Sequence, residues 1–270
     1  MDYYSKYYIT VLAVLAIISP CPIYAQTLYG VTFTTRDLVT LDATNGSTIT
    51  TIAPLSAGNG VGSGRAIAMN PITGDMYAIH TNSGNANWFL ATLNLATGAY
   101  TDIADMNPER LRDITFDDTG KLWGVTSSSG PNPHSLVSVN LLSGASTLEN
   151  GALPTTQNRI AYDPQTDTLY IQGARSGNGE LYSLSPSAPN ALTTVTLSGA
   201  SIPTSGQPPM VFDPINDVLI LKPAGTNWTR ITTSGVVTST TPSFTDTVGG
   251  LAFDQATTQI PVELSTFGAE

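Results

Sequence analysis

Residues Ile67–Ile79 read IAMNPITGDMYAI, an apolar run, an Asn-Pro, a short polar turn and a second apolar run. Two short apolar segments around such a turn make a β-hairpin. The pattern returns as ITFDDTGKLWGV over Ile114–Val125, IAYDPQTDTLYI over Ile160–Ile171 and MVFDPINDVLIL over Met210–Leu221. A second motif runs out of phase with it: LVTLDATNG from Leu38, LATLNLATG from Leu90, LVSVNLLSG from Leu136, LYSLSPSAPN from Leu181 and WTRITTSG from Trp228. Each is a strand ending in a polar turn that usually closes on Gly, where Asp or Asn bonds its own backbone and Gly supplies positive φ. A further short strand follows each time. One repeat is therefore four strands, A to D. The A-strand markers Asn70, Asp117, Asp163, Asp213 and Asp254 recur every roughly 40 to 50 residues, the period of a β-propeller blade.

The two ends of the repeat array fix the count. Thr27–Val31 matches the B strands without a preceding A strand, and Leu251–Asp254 matches an A strand without a following B. The expectation is an all-β, five-bladed propeller over residues 26–259, its ring closed by the last strand completing the first blade. Closure removes the open edges that a stack of sheets would leave. A larger propeller is disfavoured because Pro261 stands where a next B strand wants an aromatic.

Residues 1–25 read as a signal peptide: Lys6 in a short polar region, the apolar run Ile9–Ile18, and Ile23-Tyr24-Ala25 before a mature start at Gln26. That run is short for a membrane span, so the expected product is secreted or displayed at the cell surface, as a monomer. Cys21 is the one cysteine, which leaves the mature domain to be stabilised by its core without disulfides. A net charge of -10 argues against nucleic acid and against anionic lipid. Hydrophobic content of 41% is enough for a folded core.

The blade sequences DPQTDTLY and DDTGKLWG resemble those of secreted propellers of the NHL, sensor-propeller and lactonase-like groups. The resemblance spans Thr27–Asp254 at blade level, and a shared fold carries no activity with it. PVELSTF, from Pro261 to Phe267 within the tail 260–270, resembles a junction found in secreted proteins of the Bacteroidota ahead of a type IX secretion sorting domain. That resemblance implies a spacer or display role in a longer surface protein. Two N-x-[ST] sequons stand at Asn45 and Asn227.

The chain points to no cofactor and no metal. Two histidines, His80 and His134, form no ligand cluster with metal spacing. There is no G-x-S-x-G elbow, and Gly58–Gly64 (GNGVGSG) lacks the Lys-Ser/Thr ending of a phosphate loop. Asp75, Asp117, Asp118, Asp163, Asp167, Asp213, Asp217 and Asp254 fall in or beside A–B turns, once or twice per blade, as turn formers.

Loop placement sorts the charge. A–B and C–D turns share one face, which takes those aspartates and Asp42 against Lys121. D–A and B–C loops share the other, which takes Arg36, Arg65, Arg110, Arg112, Arg159, Arg175 and Lys222, offset by Asp37, Asp105, Glu109, Glu149, Glu180 and Asp246. Arg65, Arg112 and Arg159 precede three successive inner strands and should ring one mouth of the channel. His80, Trp88, His134 and Trp228 belong to the B–C loops of that face. The expectation is a non-catalytic binding or display module whose mouth (Arg65, Arg112, Arg159, His80, Trp88, His134, Arg175) takes a small anionic, glycan or protein ligand. The bland alternative pairs these arginines with Asp105, Glu109 and Asp113. The enzyme alternative is a lyase, hydrolase or lactonase with its site at the same mouth, which needs at least two acid or base groups on the axis.

Overall fold

The computed structural model describes residues 26–151, 153–154, 156–175, 178–202, 209–222, 227–240 and 246–254, without the side chains of 156–158, 174, 175 and 178. The signal-peptide and tail readings lie outside these residues.

The strands are β1 (Leu28–Thr32), β2 (Asp37–Leu41), β3 (Thr48–Pro54), β4 (Ser63–Met69), β5 (Met76–Thr81), β6 (Trp88–Leu93), β7 (Tyr100–Asp105), β8 (Leu111–Phe116), β9 (Leu122–Thr126), β10 (Leu136–Val139), β11 (Ser146–Asn150), β12 (Thr156–Asp163), β13 (Thr168–Arg175), β14 (Asn178–Leu184), β15 (Thr193–Val195), β16 (Ser198–Gly199), β17 (Met210–Asp213), β18 (Val218–Leu221), β19 (Trp228–Thr232), β20 (Val236–Thr240) and β21 (Val248–Phe253). They form five sheets: β21-β1-β2-β3, β4-β5-β6-β7, β8-β9-β10-β11, β12-β13-β14-β15 and β17-β18-β19-β20-β16. The domain is a five-bladed β-propeller with β21, β4, β8, β12 and β17 innermost. Among the described residues there is no helix, and so none long and apolar enough to cross a membrane.

Ring closure follows the sequence reading. β21 pairs antiparallel with β1, Leu28 opposite Phe253 and Gly30 opposite Leu251. Asp254 N–H donates to Thr27 O at 3.0 Å, and the Asp254 carboxylate accepts from Thr27 N.

Burial is organised between blades, because each sheet has two apolar faces and only neighbours can cover them. Ile67, Met69 and Ala78 pack with Val31 and Leu38 across blades 1 and 2, and Leu111, Ile114 and Phe116 pack with Ile79 and Leu90 across blades 2 and 3. Trp123, Val125 and Leu136 meet Ile160 and Ile171, Tyr170 and Leu181 meet Phe212 and Leu219, and Ile220 and Trp228 meet Val39 and Leu251. Five such layers, each at roughly 25 cal/mol per Å² of apolar surface, carry the stability that disulfides do not.

Polar markers close the turns. Asn70, Asp117, Asp163 and Asp213 accept from the N–H two residues on in the A–B turns, at 2.8–3.1 Å. Asp42, Asn94 and Asn140 do the same in the C–D turns. Asp117 also accepts from Trp123 Nε1 at 2.8 Å, tying turn to core. Asn140→Ala, which removes acceptance from Leu142 and Ser143 N–H, is expected to lower stability by about 1 kcal/mol in denaturant titration.

One strand departs from the repeat. After β15 the linker of blade 4 crosses to blade 5 and lies parallel to β20 as β16, with Ser198 N–H donating to Gly235 O at 3.0 Å and Ala200 N–H to Val237 O at 3.1 Å. Gly199, at φ 89, makes this approach; a Cβ there would stand 2.5 Å from Val237 O. Parallel pairing between a linker and the next blade leaves no hairpin signature for the sequence to show.

Candidate functional site: an arginine mouth on the propeller axis

β-Bulges aim the site. In β4 the register runs from Gly64↔His80 to Ala66↔Ile79, and in β8 from Leu111↔Thr126 to Asp113↔Val125, so Arg65 and Arg112 are the extra residues. A bulge bends its strand and redirects the side chain it inserts. Gly249 is the extra residue at the same place in β21, and a Cβ there would lie 2.0 Å from Gly64 O. Arg159 stands one register later, level with Asp113 and Ala66 counted back from the turn marker. It is consequently buried in the channel instead of standing in the mouth with the other two.

Arg65 and Arg112 line a pocket of about 180 Å³ with Trp88, Arg110, Ser127 and Ser129. The Arg65 guanidinium sits 5.0 Å from the ring centroids of both Phe33 and Trp88, held between two π-faces. Nε of Arg65 and Nε and Nη1 of Arg112 are buried without a hydrogen-bond partner in the described structure. Among the described residues, no carboxylate lies within 4.0 Å of either guanidinium, which removes the rim-pairing alternative for these two. Burial lowers the proton affinity of both, and for Arg65 the charge of Arg112 adds to the effect. Burial and the Arg112 charge likewise hold His134 below the usual imidazole range, with its Nδ1 unpartnered. Arg110 Nη1 donates to Ser129 Oγ at 3.4 Å, fixing the β9–β10 loop that forms the far wall.

Below the mouth, Asp113 closes the axis. It is 1% exposed. Oδ1 accepts from Ile114 N–H at 3.1 Å, and Oδ2 accepts from Ile160 N–H at 3.2 Å and Met210 N–H at 3.1 Å. One carboxylate thus ties the inner strands of blades 3, 4 and 5. Burial pushes its pKa up to about 7, against the three N–H donors and the Arg159 charge. Arg159 donates to Gln172 Oε1 at 2.5 Å, and burial brings its pKa down to about 10 although Asp113 opposes the shift.

Other expected residues lie elsewhere. His80 is buried in blade 2, its Nε2 2.6 Å from Asp102 Oδ1 and its ring stacked against Tyr100 and Phe89. Trp228 is buried between blades 5 and 1 and donates to Ala43 O at 3.0 Å. Glu149, counted with the basic face, reaches Lys121 of the opposite face at 2.8 Å. The Arg175 side chain lies outside the described residues. The opposite mouth of the channel is narrow, about 40 Å³, walled by Met69, Phe116, Tyr162, Phe212 and Phe253 together with Gln26 and Thr115.

Phe33, Ser127 and Ser129 join the site without having been expected there. Asp113 was readable only as a rim partner, yet one signal was present: a carboxylate at an inner-strand position held by Gly250, Ala66 and Pro209 in other blades.

No protein-family model matches the chain, and no curated protein matches it. Solved structures match its fold. A chain of a nidogen/laminin complex aligns over 85% of this chain and 98% of its own, with a TM-score of 0.56 and 11% identity. A gluconolactonase from Xanthomonas campestris aligns over 84% and 79%, with a TM-score of 0.50 and 15% identity. A PQQ-bound aldose sugar dehydrogenase from Streptomyces coelicolor aligns over 84% and 81%, with a TM-score of 0.50 and 13% identity. At these identities the likeness is one of fold: the ring serves in protein complexes and in sugar-converting enzymes alike.

Proposed function

We propose that this propeller is a non-catalytic binding module that takes an anionic ligand, carboxylate, sulfate or phosphate, at the Arg65–Arg112 mouth. The supporting observation is the pair of adjacent guanidiniums on neighbouring bulges, with buried N–H groups unpartnered and, among the described residues, no carboxylate within 4.0 Å. Two like charges in a half-buried pocket repel, and an anion between them relieves the repulsion and supplies acceptors. Read as a signal peptide and a secretion junction, the N-terminal stretch and the PVELSTF tail support a module working outside the cell, as a free domain or a spacer of a surface protein. The enzyme reading uses the same mouth. Against it stands the axis, where the described residues offer the single carboxylate Asp113, with both oxygens already engaged by backbone N–H.

Calorimetric titration of residues 26–259 with sulfate, citrate and oligouronates, alongside a glycan array, tests the reading. Arg65→Ala and Arg112→Ala are each expected to weaken binding by roughly tenfold or more, the loss of one charge-assisted contact. Affinity unchanged in the double variant removes the proposal.

A further inference from the structure

A second pocket lies between blades 2 and 3, toward the outer edge, and its chemistry is opposite. It has a volume of about 310 Å³ and is bounded by the linker Asp105–Glu109, the loop residues Pro131 and Asn132, and the β10–β11 turn Ser143–Ser146. Glu109 is 5% exposed. Its Oε2 accepts from Asn132 Nδ2 at 3.1 Å and Ser146 Oγ at 3.4 Å, while Oε1 is buried and accepts nothing in the described structure. No Lys, Arg or His lies within 4.0 Å of it among the described residues. A second carboxylate, Asp105, stands on the wall with its oxygens bonded to Asn107 and Asn87 amides.

The other junctions explain why a pocket exists here. Between blades 1 and 2 the linker zips onto the next C–D turn, with Ser56 N–H donating to Gly98 O and Tyr100 N–H to Ser56 O. Between blades 4 and 5 the linker does the same as β16. Between blades 2 and 3 no backbone hydrogen bond joins the linker to the turn among the described residues; Ala104 and Met106 side chains stand close to Gly144, and Ser146 Oγ reaches the Glu109 carboxylate. The linker leaves the groove open, and the Glu109 carboxylate takes the place of a backbone partner at Ser146. A charge buried this far without a counter-charge is costly, and the cost falls when a cation enters.

We infer that this groove is a binding site for an organic cation, a primary ammonium or guanidinium on an aliphatic stem, held by the Glu109 carboxylate with Asp105 at the entrance. The size and donor set argue for this over a metal. A hard divalent ion wants six or more oxygens close in; two carboxylates line the groove, and no cluster of three His, Cys, Asp or Glu occurs among the described residues. Met106, Pro108 and Pro131 offer apolar wall for methylenes, which is how lysine and arginine stems are seated. The site is independent of the arginine mouth, and either stands if the other fails.

The probes are cadaverine, N-acetyl-lysine-amide, its neutral isostere N-acetyl-norleucine-amide, and calcium chloride, titrated into ¹⁵N-labelled residues 26–259. The expected result is saturable shifts at Glu109, Asn132, Gly144 and Ser146 with the lysine derivative and none with norleucine. Cadaverine binding equal to the lysine derivative assigns the site to free amines; preference for the lysine derivative assigns it to a basic side chain of a partner. Glu109→Gln, isosteric, is expected to weaken binding by about tenfold or more. Asp105→Asn, at an exposed position that leaves the core untouched, is expected to weaken it severalfold. Shifts with calcium but not with amines overturn the inference, as does amine binding that survives both substitutions or no saturable shift at all.

Discussion

Asp113→Ala is expected to lower unfolding free energy by about 3–5 kcal/mol, the range for stripping one partner from a buried polar network. The substitution leaves Ile114, Ile160 and Met210 N–H without acceptors and deprives Arg159 of its opposing charge. Denaturant titration at fixed pH measures it; a loss within about 0.5 kcal/mol, typical of an inert surface site, contradicts the axial role given to this carboxylate. The pH dependence carries a definite sign. A carboxyl whose folded pKa is raised to about 7 binds its proton more tightly in the fold than in the unfolded chain. Its contribution is therefore fullest below about pH 4 and declines as pH climbs toward 7, by on the order of a few kcal/mol. Asp113→Asn cannot titrate, so the wild type should lose more stability than that variant between pH 4 and pH 7. Parallel curves would show that Asp113 is ionised throughout.

Gly249→Ala is expected to cost about 3 kcal/mol or more, beyond ordinary overpacking, because the clashing atom is backbone. The new Cβ would lie 2.0 Å from Gly64 O, and neither strand can yield without opening the contact between blades 1 and 2. Arg65 follows Gly64 directly, so displacement of β4 also moves the mouth. The variant should lose anion affinity along with stability, whereas Gly58→Ala, with nothing within 4 Å, should change neither. Thermal melts and the sulfate titration decide the matter together.

The architecture was legible because its determinants are local and repeated. The A–B hairpins carry Asx turns with their acceptors in place, and the last strand pairs with the first to complete its blade as expected. The mouth was legible in part. Arg65, Arg112 and Trp88 meet in one pocket because all three sit at the same ends of neighbouring strands. What escaped depends on a shift of one residue or on contacts between blades. Arg159 differs from Arg112 by a single register step, and that step turns it from the mouth into the channel. His80 sits at the edge of the expected loop in sequence, but Asp102 on an outer strand claims it. β16 escaped because a parallel linker pairing has no local signature.

The seam between β1 and β21 sets a condition on biogenesis. The strand beginning at Leu28 leaves the ribosome well ahead of its inner partner, ending at Phe253, which emerges more than two hundred residues later. Until then the nascent chain carries a bare strand edge and an uncovered apolar layer on each side of the gap. A chain stopped before Val248 keeps that edge and those layers uncovered, and limited proteolysis is expected to cut it faster than the closed ring.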